Sequence, residues 1–122
     1  MNDMIENVAG VIIWTENLEQ LAAFYQEVIG LKPHSVQPTF ISYRFGEMRF
    51  SLGVHQQVSG LSREPYRVMI NLGVSNIHQV YERLKERGVA FIRPPQKEHW
   101  GGHVATFWDP DGNILQLLQQ PS

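Results

Sequence analysis

The chain has 122 residues, of which 43% are hydrophobic and 18% are charged, a composition typical of a folded domain rather than a disordered segment. Its formal net charge of −2 and its pI near 6.2 argue against a nucleic-acid-binding protein, because phosphate neutralisation requires a basic surface. The sequence has no cysteine, which excludes disulfides and thiolate chemistry and agrees with a reducing compartment. We therefore expect a cytoplasmic protein, and no apolar run is long enough to span a membrane.

A strand-to-helix pattern occurs twice along the chain. Two apolar segments end at Asn17 and at Asn76, and a glutamine stands three residues after each asparagine, which is the pattern of a helix capping box. Apolar residues then recur with helical spacing as far as Gly30 and Gly88, where glycine can adopt the left-handed conformation that ends a helix. The repetition predicts two modules of the same kind.

Three short strands are predicted after each helix. They cover about residues 32–37, 39–45 and 48–54 in the first half, and about 90–93, 103–108 and 114–119 in the second. Gly46-Glu47 predicts a tight hairpin, and Asp109-Pro-Asp-Gly112 predicts a turn. The carboxylates of Asp109 and Asp111 are interpreted as acceptors of backbone N–H groups in that turn rather than as calcium ligands or acid–base groups.

Several motifs together resemble the vicinal-oxygen-chelate superfamily, which includes glyoxalases, bleomycin-resistance proteins and dioxygenases. They are Phe24-Tyr25 with Ile29-Gly30-Leu31, the segment 81–89, Trp100-Gly-Gly, and Phe107-Trp-Asp-Pro-Asp-Gly-Asn113. The resemblance covers about residues 8–119. It implies an α+β fold in which two paired βαβββ modules form a curled mixed sheet around a cavity, and it implies a homodimer. The single domain would span residues 1–122, with module one at about 8–54, a linker at about 55–66 and module two at about 67–119.

Enzymes of this family hold a divalent metal in the cavity. The resemblance places the ligand positions at Gly10, Ser51, Met69 and Gln116. A catalytic metal site needs about three protein ligands drawn from His, Asp or Glu, and none of these four residues is of that kind. We therefore expect no metal and no other cofactor, and we assign no catalytic residue. A displaced metal site using His99 and His103 is the alternative.

Strand alternation then indicates which side chains share a face with those positions. Trp100 is added because the resemblance places it over the cavity mouth, and Tyr43 and His103 are added as candidate acid–base groups. The predicted ligand-binding residues are Ile12, Trp14, Tyr43, Arg49, Ser51, Arg67, Met69, Asn71, Trp100, His103, Thr106, Trp108 and Gln116. Aromatic walls with a few polar groups suit a small planar or aromatic ligand, and an arginine could meet its carboxylate or phosphate.

Three functions are compatible with this sequence. The first is a metal-independent protein that binds or sequesters a small molecule, as bleomycin-resistance proteins do. The second is a glyoxalase-like lyase or dioxygenase-like enzyme that uses a displaced metal site or metal-free acid–base chemistry. The third is an interaction module whose pocket is filled by its own side chains. The missing metal ligands favour the first and third.

Overall fold

The computed structural model describes residues 3–122 and divides the chain into two compact units, with the boundary between Ser59 and Gly60. Each unit contains a four-stranded mixed sheet and one helix, so the predicted α+β class with two βαβββ repeats is confirmed. The first unit consists of β1 (Gly10–Thr15), α1 (Leu18–Ala23), β2 (Pro33–Gln37), β3 (Phe40–Phe45) and β4 (Met48–Val54). The second consists of β5 (Met69–Gly73), α2 (Ile77–Glu86), β6 (Phe91–Lys97), β7 (His103–Trp108) and β8 (Ile114–Gln119).

The sheet of the first unit has the strand order β1-β4-β3-β2, with β1 parallel to β4 and the other pairs antiparallel. Gly46 has a φ of 59° and allows a tight turn between β3 and β4, which sets Tyr43 opposite Phe50. Strand residues that point toward the helix form the core of the unit together with helix residues, and Phe50, Leu52 and Tyr25 are fully buried.

The first helix changes type along its length. The Asn17 side chain accepts a hydrogen bond from the Gln20 backbone N–H at 3.1 Å, as predicted for an N-cap. The pattern predicts one helix up to Gly30, but a π-helical turn replaces the α-helix over Phe24–Val28. Tyr25, within that turn, is completely buried and packs edge-on against Phe50 with the ring centroids 5.2 Å apart. The wider π-helical turn therefore lies at the point where the Tyr25 side chain packs into the core.

The sheet of the second unit repeats this topology in the order β5-β8-β7-β6. Asn76 caps α2 by accepting from the Gln79 N–H at 3.2 Å, and Gly88 follows the helix with a φ of 90°. The strand β6 is longer than predicted and continues through Pro94 and Pro95. Proline is tolerated there because β6 is the edge strand of its sheet, where a missing N–H need not break a ladder bond.

The turn between β7 and β8 is organised by the side chain of Asp109. Its Oδ1 accepts the backbone N–H groups of Asp111 and Asn113 at 2.9 Å each, and its Oδ2 accepts the Asn113 amide, also at 2.9 Å. Asp109 is only 4% exposed. The predicted structural function is thus confirmed for Asp109.

Within residues 3–122 neither helix has the length and apolar character needed to cross a bilayer.

Candidate functional site

Each sheet has one face covered by its helix, and most of the site candidates lie on the other face, which we call the open face. On the first sheet the pairing aligns Ile12 with Ser51 and Ser51 with Ser42, and one step along it aligns Trp14 with Gly53 and Gly53 with Phe40. Paired residues point to the same side of a sheet, so five side chains share one face with Gly53, which has no side chain. The pairing therefore places the candidates of β1 and β4 on one face, and β3 adds Phe40 and Ser42 to it.

Polar and aromatic groups lie side by side on this first open face. The hydroxyl oxygens of Ser42 and Ser51 are 2.9 Å apart and form a hydrogen bond, and Ser51 is buried. The Trp14 ring lies 6.0 Å from the ring of Phe40 and 5.3 Å from that of His55, and it remains 39% exposed. An exposed indole supported by two further rings is a surface on which a planar ligand can stack.

A row of hydrogen bonds crosses the open face of the second sheet. Pairing aligns Asn71, Gln116 and Thr106 on three adjacent strands. The Thr106 hydroxyl donates to Oε1 of Gln116 at 2.9 Å, and Nε2 of Gln116 donates to Oδ1 of Asn71 at 2.9 Å. We call these three residues the polar row. Both ends of the Gln116 amide are thus engaged by neighbouring side chains.

Three apolar side chains flank the polar row. The pairing aligns Met69 with Ile114 and Ile114 with Trp108, one step from the row. The ring of Trp108 packs edge-on against that of Tyr66 at 6.2 Å. The open face of this unit therefore combines amide donors with apolar and aromatic area.

The four family positions for a metal do not fit a divalent ion. A Cβ atom added at Gly10 would stand 2.7 Å from the carbonyl oxygen of Arg49, so no side chain can be accommodated there without a backbone shift. Ser51 is bonded to Ser42 and Gln116 to Thr106 and Asn71, while Met69 offers only a thioether. Among residues 3–122 no group of three or more His, Cys, Asp or Glu side chains is placed to hold a metal. The donor set provides no negative charge to balance a dication.

Tyr43 lies away from the other candidates, and its grouping with them is wrong. It pairs with Phe50 on the helix-covered face, is 1% exposed, and accepts a hydrogen bond from the Gln26 amide at 3.1 Å. Burial raises the pKa of the Tyr43 phenol, and the hydrogen bond from Gln26 offsets only part of that rise. Tyr43 is therefore a packed core residue on the helix-covered face rather than a side chain of the open face.

His103 lies on the opposite face of the second sheet from the polar row, and Arg67 lies before the first strand of that sheet. His103 pairs with Gln119 rather than facing the polar row, and its ring lies 5.9 Å from that of His78 on α2. Strand alternation from Thr106 explains this, because residues an odd number of positions apart face opposite sides. Arg67 precedes β5 and forms a salt bridge with Glu64 at 3.2 Å, in which both side chains are about two-thirds exposed or more.

Trp100 lies in the turn between β6 and β7, as expected, but it folds onto that turn. A Cβ atom at Gly102 would fall 1.9 Å from the Trp100 ring, so the indole occupies the space that a side chain would need. The ring is still 43% exposed. The absence of a side chain at Gly102 therefore leaves the space that the indole occupies.

Arg49 lies on the first open face opposite Gly10, as predicted, and Arg93 is a candidate that the sequence analysis missed. Arg93 pairs with Thr106 and so extends the polar row by one strand. The pairing of β6 shifts register on both sides of Arg93, so counting along the strand could not have placed it. Phe40 and Ser42, in contrast, could have been found from the two-residue hairpin at Gly46.

Comparison with known proteins bears on the family. The family model described as the Glyoxalase/Bleomycin resistance protein/Dioxygenase superfamily matches residues 7–117. The chain belongs to this superfamily. This superfamily member is similar to the uncharacterized protein YetH of Bacillus subtilis (strain 168). The two sequences are 24% identical over 121 residues, and the match covers 95% of this chain and all of YetH.

Solved structures agree with the superfamily fold. TnmS3, an antibiotic binding protein from Streptomyces sp. CB03234, is 26% identical with a TM-score of 0.79, and the match covers 99% of this chain and all of TnmS3. A glyoxalase/bleomycin resistance protein/dioxygenase from Nocardioides is 22% identical with a TM-score of 0.78, covering 99% of this chain and 87% of that one. The second similarity shows the fold alone.

Proposed function

We propose that this superfamily member is a metal-independent protein that binds or sequesters a small, partly aromatic molecule. The observation that carries the proposal is the polar row. Gln116 stands at a family metal position, and its amide forms hydrogen bonds with Thr106 and Asn71. A ligand would meet neutral amide groups there instead of a cation. The exposed Trp14 ring and the similarity to the antibiotic-binding TnmS3 support the same class of ligand.

The setting of this function is part of the proposal. We expect the protein to act in the cytoplasm and not to bind nucleic acid, because it lacks cysteine and has a net charge of −2. The single domain predicted over residues 1–122 stays a prediction.

Metal content is the first test. The untagged protein should hold well below one equivalent of nickel, zinc, manganese or iron, and a chelator should leave its unfolding temperature unchanged. One tightly held equivalent per chain, lost together with a measured lyase or oxygenase activity on chelation, would establish the enzyme instead.

Ligand binding is the second test, with a panel of planar aromatic compounds that includes 2-naphthamide. A ligand at 100 times its Kd should stabilise the folded protein by about 2.7 kcal/mol in thermal unfolding. Gln116→Met removes both hydrogen bonds of the polar row at similar volume and should weaken binding by roughly tenfold, or about 1.4 kcal/mol, because Thr106 and Asn71 lose the partner that orients them. Gln56→Met changes an exposed glutamine outside both sheets and should have no effect. Failure of every compound would favour the interaction module with a filled surface.

A further inference from the structure

Arg93 lies at the end of the polar row, and its guanidinium group has a buried donor without a hydrogen-bond partner among residues 3–122. Its NH2 nitrogen donates to Oε1 of Glu98. The buried donor is its Nε. A buried donor without an acceptor is costly and uncommon in folded proteins, and a ligand acceptor at this position would relieve that cost.

The groups that the polar row leaves uncommitted are donors. The amide of Gln116 donates to Oδ1 of Asn71, which leaves the Asn71 N–H2 group facing outward on an exposed residue. Arg93 adds its Nε–H at the other end, beside Thr106. Donors at both ends of a row, with a positive charge at one of them, match a ligand that carries oxygen acceptors and a negative charge.

Among residues 3–122, the carboxylate in ion-pair contact with Arg93 is that of Glu98. The two side chains are 36% and 28% exposed, so a solute can reach the ion pair, although it must displace a side chain to reach the buried Nε. Glu98 lies in the β6–β7 turn, and its backbone is held independently of its side chain: its N–H donates to the Gly102 carbonyl at 2.8 Å, and its own carbonyl accepts from Gly101 at 2.9 Å. The Glu98 side chain can therefore leave Arg93 without opening the turn.

We propose that Arg93 anchors the carboxylate of an aromatic acid and that Glu98 is the internal competitor which this acid displaces. The inference rests on the proposed function, since it assigns the charge of the ligand bound on the second open face. A planar guanidinium binds a carboxylate through two parallel N–H bonds, and the unpartnered Nε is one of the two donors required.

The test compares 2-naphthoate with 2-naphthamide, which differ only in the anionic group, by titration calorimetry. Wild-type protein should bind the acid at least about tenfold more tightly than the amide, as expected for a charge-assisted bidentate contact. Arg93→Met should abolish this preference while leaving amide binding within about twofold. Arg83→Met on the exposed surface of α2 removes the same charge and should preserve the preference.

Glu98 gives the more selective variant. Glu98→Gln removes the competing carboxylate and should tighten binding of 2-naphthoate several-fold, with no change for the amide. Glu86→Gln, an exposed residue on α2, removes an equal charge and should alter neither affinity. If Glu98→Gln leaves acid binding unchanged or weakens it, the competitor assignment is wrong.

A spectroscopic measurement on wild-type protein covers the case in which Arg93→Met fails to fold. The Nε–Hε resonance of Arg93 should shift on addition of 2-naphthoate and not on addition of 2-naphthamide. Equal affinity for the two compounds, or an unmoved Arg93 resonance, overturns this inference and leaves the proposed function standing. If the protein binds neither of these compounds nor any other compound of the aromatic panel, both this inference and the proposed function are wrong.

Discussion

Gly53 decides the shape of the aromatic surface on the first sheet. A Cβ atom built at this residue would stand 2.6 Å from the Trp14 ring and 2.7 Å from the Phe40 ring, distances at which the rings must move. The absence of a side chain lets both rings lie over the strand backbone. This glycine is needed for space, and its backbone conformation is one that other residues adopt, since its φ is not positive.

Gly53→Ala should therefore displace Trp14 and destabilise the fold by about 1–3 kcal/mol through overpacking. Gly73→Ala is the matched control, because Gly73 also lies in a strand and nothing stands within 4 Å of its added Cβ. That control should be neutral or stabilising by up to about 1 kcal/mol. Urea unfolding followed by tryptophan fluorescence measures the free energy of unfolding of both variants. Equal effects of the two substitutions would contradict the steric argument.

The position of single residues was predictable where a turn of known length fixed the register. The hairpin at Gly46 sets Phe45 opposite Met48, and the same count places Tyr43 opposite the core residue Phe50. The mistaken grouping of Tyr43 came from its chemistry, although the register already placed it in the core. His103 is a similar case, since alternation from Thr106 assigns it to the helix side.

At the scale of the element, the β7–β8 turn contains two carboxylates, Asp109 and Asp111, which have different structural roles. Asp109 accepts three hydrogen bonds and is buried, whereas Asp111 contributes its backbone N–H to Asp109 and is partly exposed. The sequence assigned both carboxylates to the same turn function, and the structure gives these contacts to Asp109.

Asp109→Ala should destabilise the protein by roughly 2–3 kcal/mol, because it leaves partly buried N–H donors without their charged acceptor. Asp111→Ala should change stability by no more than about 0.5 kcal/mol, as for an ordinary surface substitution. Chemical denaturation of the two variants tests this difference. A loss of similar size at both positions would show that the turn depends on its overall charge rather than on the Asp109 bonds.

Element boundaries were predicted well where local signals are strong. The bounds of β4, β7 and β8 match the prediction, and both asparagine caps form. The extent of β6 was missed because proline normally ends a strand, and only the position of β6 at the sheet edge removes that restriction. The π-helical turn after α1 was missed because its apolar spacing is that of an ordinary helix.

At the scale of the whole molecule we predict a homodimer, as the family resemblance implies. Exposed apolar side chains support this, among them Tyr66 at 62%, Val68 at 72% and Met69 at 36% exposure around the start of edge strand β5. Sedimentation velocity at micromolar concentration should report a species of twice the chain mass of 14.0 kDa. A single species at the mass of one chain, unchanged as the protein concentration rises, would exclude the homodimer.

The amino-acid sequence alone determined the repeated unit, its caps and turns, and the absence of carboxylate and imidazole at the four family metal positions. These features depend on residues close together in the chain or on the identity of one residue, so local patterns carry them. Tertiary structure decided that Asn71, Gln116 and Thr106 from three strands bond into one row, and that Arg93 joins its end. Those contacts depend on strand order and on bulges in β6, which shift register by amounts that no local pattern encodes.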